Sequence, residues 1–310
     1  MQAHEPDRIH GVAAISSEAQ ELVARAIEMP ARDMSLPIAE IRNRTRADCT
    51  PASKAALERT GVTLSEREIE CVRCMVIDPP ALKSNREIVY LFGGGFCQGS
   101  PFEDLPISAH LAAKTGARVI APSYPLAPEH PYPAALDALT PLVSAILEDT
   151  PSACLCGESA GGTLALASVL RLKAGGLPHP RALALMSPAV DLLNSGDSGA
   201  ADRDPFLREA DTGTYMSNYI PRGTDPTDPG LSPIYGTFDE DFPPVMVTTG
   251  TRDNLLSGCV RLDRVLRDAG AGCTLRVWEG MWHVFEFYAD IPEAQASLSD
   301  IAEFLTMHLR

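Results

Sequence analysis

The stretch "ACLCGESAGGTLALASVL", residues 153–170, constrains the chain more than any other. An apolar strand-like run at 153–156 enters Gly157-Glu158-Ser159-Ala160-Gly161, and an apolar helical stretch at 160–173 leaves it. A G-x-S-x-G pentad in that setting needs a very sharp strand-to-helix turn, with small residues at both ends and the serine hydroxyl standing at the helix N-terminus. A structural turn serine is the alternative reading of Ser159.

The chain around it has a compatible texture. From about residue 69, short apolar runs at 69–77, 87–92, 117–122, 153–156, 182–187, 244–249 and 274–278 read as strands. Stretches at 105–115, 133–148, 160–173, 257–269 and 292–308 read as helices. Strand–helix alternation predicts an α/β fold, a mostly parallel sheet covered on both faces. The 310 residues suffice for one large domain with an accessory element, or for two small domains. Residues 192–238, rich in Gly, Pro, Asp and Ser, break the rhythm and read as an insertion between two strands. Residues 1–60 read as mostly helical, with Ser17 and Gln20 forming a capping-box pattern.

The second informative stretch is "EIVYLFGGGFCQGSPFEDLP", residues 87–106. Three glycines at the end of a buried strand cost backbone entropy, so something must approach that backbone closely. A dinucleotide fingerprint from Gly93 places Gln98 where a small residue is required, and a P-loop from Gly94 places Ser100 where Lys is required. What remains is a set of backbone N–H groups aimed at a developing oxyanion, with a Gly-rich turn of no chemistry as the alternative.

A serine is a weak nucleophile unless a base, oriented by an acid, takes its proton. On such a fold the chain order is Ser, acid, His, each at a strand's C-terminal end. His283 in "GMWHVFEF" follows the strand at 274–278, whereas His179 lies in a loop and His308 in the last helix. Asp253 in "VTTGTRDNLL" follows the strand at 244–249, whereas Asp239, Glu240 and Asp241 precede it. Ser159, His283 and Asp253 are therefore the expected triad, with a helix N-cap as the other reading of Asp253. Gly93, Gly94 and the N–H of Ala160 are the expected oxyanion hole.

A net charge of −15 and the lack of a Lys/Arg cluster argue against binding a nucleic-acid backbone. No run is long and apolar enough to span a bilayer, and the first residues do not read as a signal peptide, so a cytoplasmic location is expected. Of eight cysteines, Cys71 and Cys74 lie in an alternating strand-like run and Cys154 and Cys156 in an apolar one. Buried free thiols are expected there rather than a zinc or redox site.

On "FGGGF", "YPLAPEHPYPAALDAL" at 124–139, "GESAGG", "GTRDNLL" and "WHVF", in that order, the chain resembles the hormone-sensitive-lipase-like family of α/β-hydrolases, bacterial esterase branch, over roughly residues 69–309. The resemblance implies an α/β-hydrolase catalytic domain at 61–310, capped by the helical segment 1–60 together with the insertion. It also implies a structural role for the middle motif, with Glu129 and His130 hydrogen-bonded locally. Three positions depart from the family pattern: Phe92 for the His before the glycines, Glu158 for Asp in the elbow, and Pro125 for Arg.

The leading expectation is a serine carboxylesterase acting on uncharged, short- to medium-chain acyl esters. A lactone, amide or carbamate hydrolase with the same triad is the second, and a non-catalytic small-molecule-binding relative the third. Phe92, Phe96, Glu158, Phe206, Tyr215, Tyr219, Trp282 and Phe285 are candidates for lining the substrate pocket, with ordinary core or cap packing as the alternative for the aromatics. The triad and backbone donors imply no metal or organic cofactor. A homodimer through an edge strand rests on family likeness.

Overall fold

The structure, a computed structural model, describes residues 14–309 apart from 31, 84 and 194. The first thirteen residues, which hold the start of the 1–60 segment and much of the stretch that lacks the features of a signal peptide, lie outside the described residues.

Strands β3 (Glu87–Leu91), β4 (Arg118–Pro122), β5 (Cys154–Glu158), β6 (Leu183–Met186) and β7 (Val245–Gly250) are buried almost end to end. Continuous apolar runs of this kind suit central parallel strands covered on both faces. They pair in parallel with one another and with β8 (Cys273–Trp278). β2 (Val72–Asp78) and β1 (Thr63–Ile69) add antiparallel strands, giving the order β1-β2-β4-β3-β5-β6-β7-β8. Ile88, Leu91, Leu155, Leu183 and Val247 are fully buried at its centre. Each such side chain contributes roughly 1.5–3 kcal/mol by leaving water, so the middle of the sheet anchors the fold.

The single strand expected at 69–77 is instead the hairpin β1–β2. Glu70 and Cys71 turn the chain with φ of 48° and 60°, the left-handed pair that a two-residue hairpin turn requires. Alternation runs through the turn without a Gly or Asn to mark it. Cys71 is consequently exposed on the turn rather than buried, while Cys74, Cys154 and Cys156 are buried.

Helices α1 (Ser17–Glu28) and α2 (Ile38–Thr60) precede the sheet; α3 (Leu105–Thr115), α4 (Ala134–Asp149), α5 (Ser159–Ala174), α8 (Leu256–Asp268) and α9 (Pro292–His308) accompany its strands. The insertion between β6 and β7 carries α6 (Asp197–Ala200) and α7 (Glu209–Tyr219). α1 is capped one residue earlier than the sequence pattern suggests: Ser16 Oγ accepts the N–H of Ala19 and donates to Glu293 at the start of α9. Its buried residues Ala19, Val23 and Ala26 recur at helical spacing. The first two pack with Met281, Trp282, Phe285, Ile291 and Ala294.

The strand register gathers the functional loops on one side of the sheet. Leu91 pairs with Gly157, and Glu158 with Met186, so the C-terminal ends of neighbouring strands lie level. The glycine loop after β3, Ser159 after β5, Asp253 after β7 and His283 after β8 all leave the sheet on that side.

Candidate active site

Ser159 begins α5 with φ of +49°, a left-handed conformation rare for a side-chain-bearing residue. Such backbone strain costs on the order of 1–3 kcal/mol and persists only where the surroundings enforce it. Here they do. A Cβ on Gly161 would fall 2.0 Å from the Leu91 carbonyl oxygen, so only glycine lets the helix start press against the end of β3.

His283 Nε2 lies 2.9 Å from Ser159 Oγ, and His283 Nδ1 lies 3.1 Å from Asp253 Oδ1. An ionised Asp253 can only accept, which fixes the proton on Nδ1 and leaves Nε2 to accept from the serine hydroxyl. Asp253 is itself held: it accepts Thr249 Oγ1 at 2.8 Å and the Leu255 N–H at 2.9 Å. Burial alone would push its pKa up, but the His283 charge, with hydrogen bonds from His283, Ser187 and the Leu255 N–H, outweighs it, and the carboxyl stays below its usual range. Burial likewise pushes His283 down; the Asp253 charge and hydrogen bond, with Asp204 and Glu286 behind them, carry it above its usual range.

Gly93 departs from expectation. The Glu158 carboxylate lies against it, where a Cβ would fall 2.0 Å from Oε1, and the Gly93 N–H faces that carboxylate. Burial and the neighbouring Asp104 push Glu158 well above the ordinary carboxylate range, with the Gly93 N–H opposing them. Gly94, with φ of +108°, and Gly95 stand on the cavity wall beside Ser159. Among the described residues neither N–H has an acceptor. Ala160, the second residue of α5, lies on the same wall and has its N–H in the first turn, where helices leave donors unpaired.

The cavity over Ser159 encloses about 690 Å³. Its walls come from the glycine loop, from Leu22 and Ala26 of α1, Thr45 and Cys49 of α2, and Phe206, Leu207, Tyr215 and Met216 of the insertion. Gln98 joins the two halves of this wall, accepting from Thr45 and donating to Tyr215, each at 2.7 Å. Phe92, Phe96, Glu158, Phe206 and Tyr215 face the cavity.

Tyr219, Trp282 and Phe285 do not. Tyr219 stacks behind Phe96 at 3.8 Å, Trp282 lies beneath Phe206 at 5.0 Å, and Phe285 packs on Trp278. Tyr219 and Trp282 support wall residues, and Phe285 packs in the core, instead of touching the space. Phe92 stacks on Tyr124 at 4.2 Å, so packing holds the side chain that opens the glycine loop. Glu129 and His130 do bond locally, Glu129 to its own backbone N–H and the His130 N–H to the Leu126 carbonyl at 2.9 Å. Glu129 is also held from afar: Arg42 of α2 reaches it at 2.7 Å while donating to the carbonyls of Cys97 and Ala127, both at 2.8 Å. Asp204, for which the sequence offers no motif, accepts the backbone N–H of His283 at 2.7 Å. The only local signal for it is a D-P-F run within the insertion.

A mostly parallel sheet with Ser, His and Asp meeting beyond its strand ends defines the class: a hydrolase built on a nucleophile elbow. A profile of the α/β-hydrolase fold matches residues 88–287. The chain is 35% identical to an esterase of Acinetobacter venetianus over 71% of this chain and 74% of that protein. It is 31% identical to an ethyl acetate hydrolase of Pseudomonas putida over 75% and 76% of the two chains. The crystal structure of a hormone-sensitive lipase from a metagenome library superimposes with a TM-score of 0.84 at 30% identity, covering 94% of this chain and 97% of that one. The chain belongs to the α/β-hydrolase family, in its hormone-sensitive-lipase-like branch. No helix among the described residues is long and apolar enough to cross a membrane.

Proposed function

We propose that the protein is a serine carboxylesterase that cleaves uncharged, short- to medium-chain acyl esters through an acyl-enzyme. The observation that carries this reading is the relay from Ser159 Oγ through His283 to Asp253, at 2.9 and 3.1 Å, on a serine held in a left-handed turn. The names of the relatives, an esterase and an ethyl acetate hydrolase, support an ester as the bond broken.

In the first half-reaction Ser159 Oγ attacks the ester carbonyl and its proton passes to His283 Nε2. The carbonyl oxygen becomes an oxyanion held by the N–H groups of Gly94, Gly95 and Ala160; Gly93 yields this role to Gly95 because its own N–H faces Glu158. Removing one such donor typically costs about 2.7–4 kcal/mol of catalysis. The intermediate collapses, the alcohol leaves with the proton from Nε2, and the acyl group stays on Oγ. His283 then takes a proton from water, whose attack releases the acid and regenerates the serine. Asp253 keeps the imidazole in the productive tautomer and favours its cationic form. The helices at 17–60 and the 192–238 insertion serve as the cap, and the cavity they enclose with the glycine loop, mainly lined by apolar side chains, suits a short to medium acyl chain.

Hydrolysis of p-nitrophenyl esters from acetate to dodecanoate, by wild type and Ser159→Ala, tests the reading. Turnover that is lost in the variant supports it, and the chain-length optimum sizes the pocket. Absence of turnover by the wild type on every ester would shift the assignment to a lactone, amide or carbamate.

A further inference from the structure

Asp204 lies between α6 and α7 and is 2% exposed. Its Oδ2 accepts the backbone N–H of His283 at 2.7 Å, and its Oδ1 accepts the N–H groups of Phe206 and Leu207 at 2.8 and 2.9 Å. Phe206, Leu207 and Arg208 are cavity-wall residues. The same wall is tied to the acid loop, where Asn254 donates to the Leu207 carbonyl at 2.6 Å, and to the end of α1, where Arg208 donates to the Met29 carbonyl at 3.0 Å.

The backbone at His283 needs such an anchor. The next residue, Val284, is β-branched and sits at φ of +50°, a strained conformation for that side chain. Its N–H is held by Ser187 Oγ at 3.1 Å. The N–H groups of His283 and Val284 are thus fixed from opposite sides of the site, one by the insertion and one by the residue after β6.

We propose that Asp204 is a positioning residue for His283: it fixes the base through its backbone, sets a second carboxylate beside it, and makes its alignment on Ser159 depend on the seating of the 204–208 wall. This rests on the ester-hydrolase reading of the triad. The charged groups facing His283 are Asp253 at its ring, Asp204 at its backbone and Glu286 in its own turn. Asp204 in turn faces Asp253, His283, Arg252 and Tyr288. Burial, with repulsion from Asp253, pushes it up to about 6, and the nearby His283 and the two wall N–H groups oppose that rise. Above that pH it is a carboxylate and favours the imidazolium that forms as Ser159 attacks.

The test is Asp204→Asn, which keeps an acceptor for Phe206 and Leu207 but sets an amide donor against the His283 N–H. Rates of fluorophosphonate labelling of Ser159, and kcat and KM for p-nitrophenyl butyrate, are followed with pH in wild type and variant. We expect kcat and labelling to fall roughly 10- to 100-fold with KM little changed. The midpoint of the acid limb should move down by about one unit. A variant with wild-type rates and midpoint would overturn the proposal and leave Asp204 a wall-shaping residue alone. If Asp204→Asn does not fold, Asp204→Ser also keeps an acceptor without the charge and is held to the same two outcomes. A wild type that is labelled yet cleaves no ester removes the ester reading only, and the labelling rates still decide on Asp204.

Discussion

The Tyr124 hydroxyl donates to the backbone carbonyl of Phe92 while the two rings stack 4.2 Å apart. The residue that opens the glycine loop is therefore held by its main chain and its side chain at once, and by the same neighbour. Tyr124→Phe keeps the stack and removes the donor, leaving a buried carbonyl short of a partner. Stability should drop by about 1–3 kcal/mol in chemical denaturation, and kcat should fall more than KM rises if the loop holds the oxyanion donors as proposed.

The pH dependence arises from the charges around His283. In the proposed mechanism His283 must be neutral to act as the base, and Asp253 holds its pKa above the ordinary 6.5. The acid limb of kcat/KM should thus have its midpoint above 6.5, with activity rising as pH increases through it. Asp253→Asn removes the anion and donates to Nδ1, placing the proton on the wrong nitrogen. The midpoint should move down and the rate should fall by roughly 10³–10⁴-fold. A profile with no acid limb between pH about 5 and 8 would remove His283 as the base.

Glycine substitutions separate folding from chemistry. Gly161→Ala drives a methyl into the Leu91 carbonyl, a backbone atom that cannot swing away, and should cost about 3 kcal/mol or more of stability. Gly94→Ala also meets backbone, 2.3 Å from the Gln98 carbonyl oxygen, at a φ that disfavours any side chain. It moves a proposed oxyanion donor, so its loss of kcat should exceed its loss of melting temperature when both are compared with Gly161→Ala.

Glu158 and Asp104 form a buried acidic pair on the cavity wall. Burial raises both: Asp104 goes to about 7, with the Tyr90 hydroxyl opposing the rise at 2.6 Å and Glu103 adding to it, and repulsion from Asp104 adds to the rise of Glu158. A carboxyl raised on folding stabilises below its unfolded pKa and loses that contribution as pH rises through its folded value. Wild type should therefore lose stability from about pH 4 upward through this pair. Glu158→Gln abolishes the titration of the more strongly raised member. Its melting temperature relative to wild type should climb between about pH 5 and 8; a constant difference would count against a raised Glu158 carboxyl.

Much of this architecture is legible in the sequence because parallel strands are buried on both faces and show as uninterrupted apolar runs: β3 to β8 lie within a few residues of where the pattern places them. Ser159, Asp253 and His283 can be named because a strand end followed by a polar residue is a local signal, and the structure brings the three together. What escapes is non-local. Arg42 reaches Glu129 across 87 positions, and nothing near either residue announces the other. Asp204 acts through the main chain of His283, a group identical at every residue. In the sequence Gln98 does no more than spoil a nucleotide motif, yet it links Thr45 to Tyr215 across the cavity wall. The 70–71 turn is hidden because alternation continues through it with no glycine.

The docking of α1 has a consequence for how the molecule is born. Ile15, Ala19 and Val23 leave the ribosome long before Met281, Trp282, Phe285, Ile291 and Ala294, which build the surface they cover. The Ser16–Glu293 hydrogen bonds span 277 positions. Until β8 and α9 have been made this helix has no place to settle, and only when they have assembled does the wall it carries close over Ser159. A nascent chain halted before residue 281 would hold its nucleophile beneath an unfinished roof, without the histidine needed to use it.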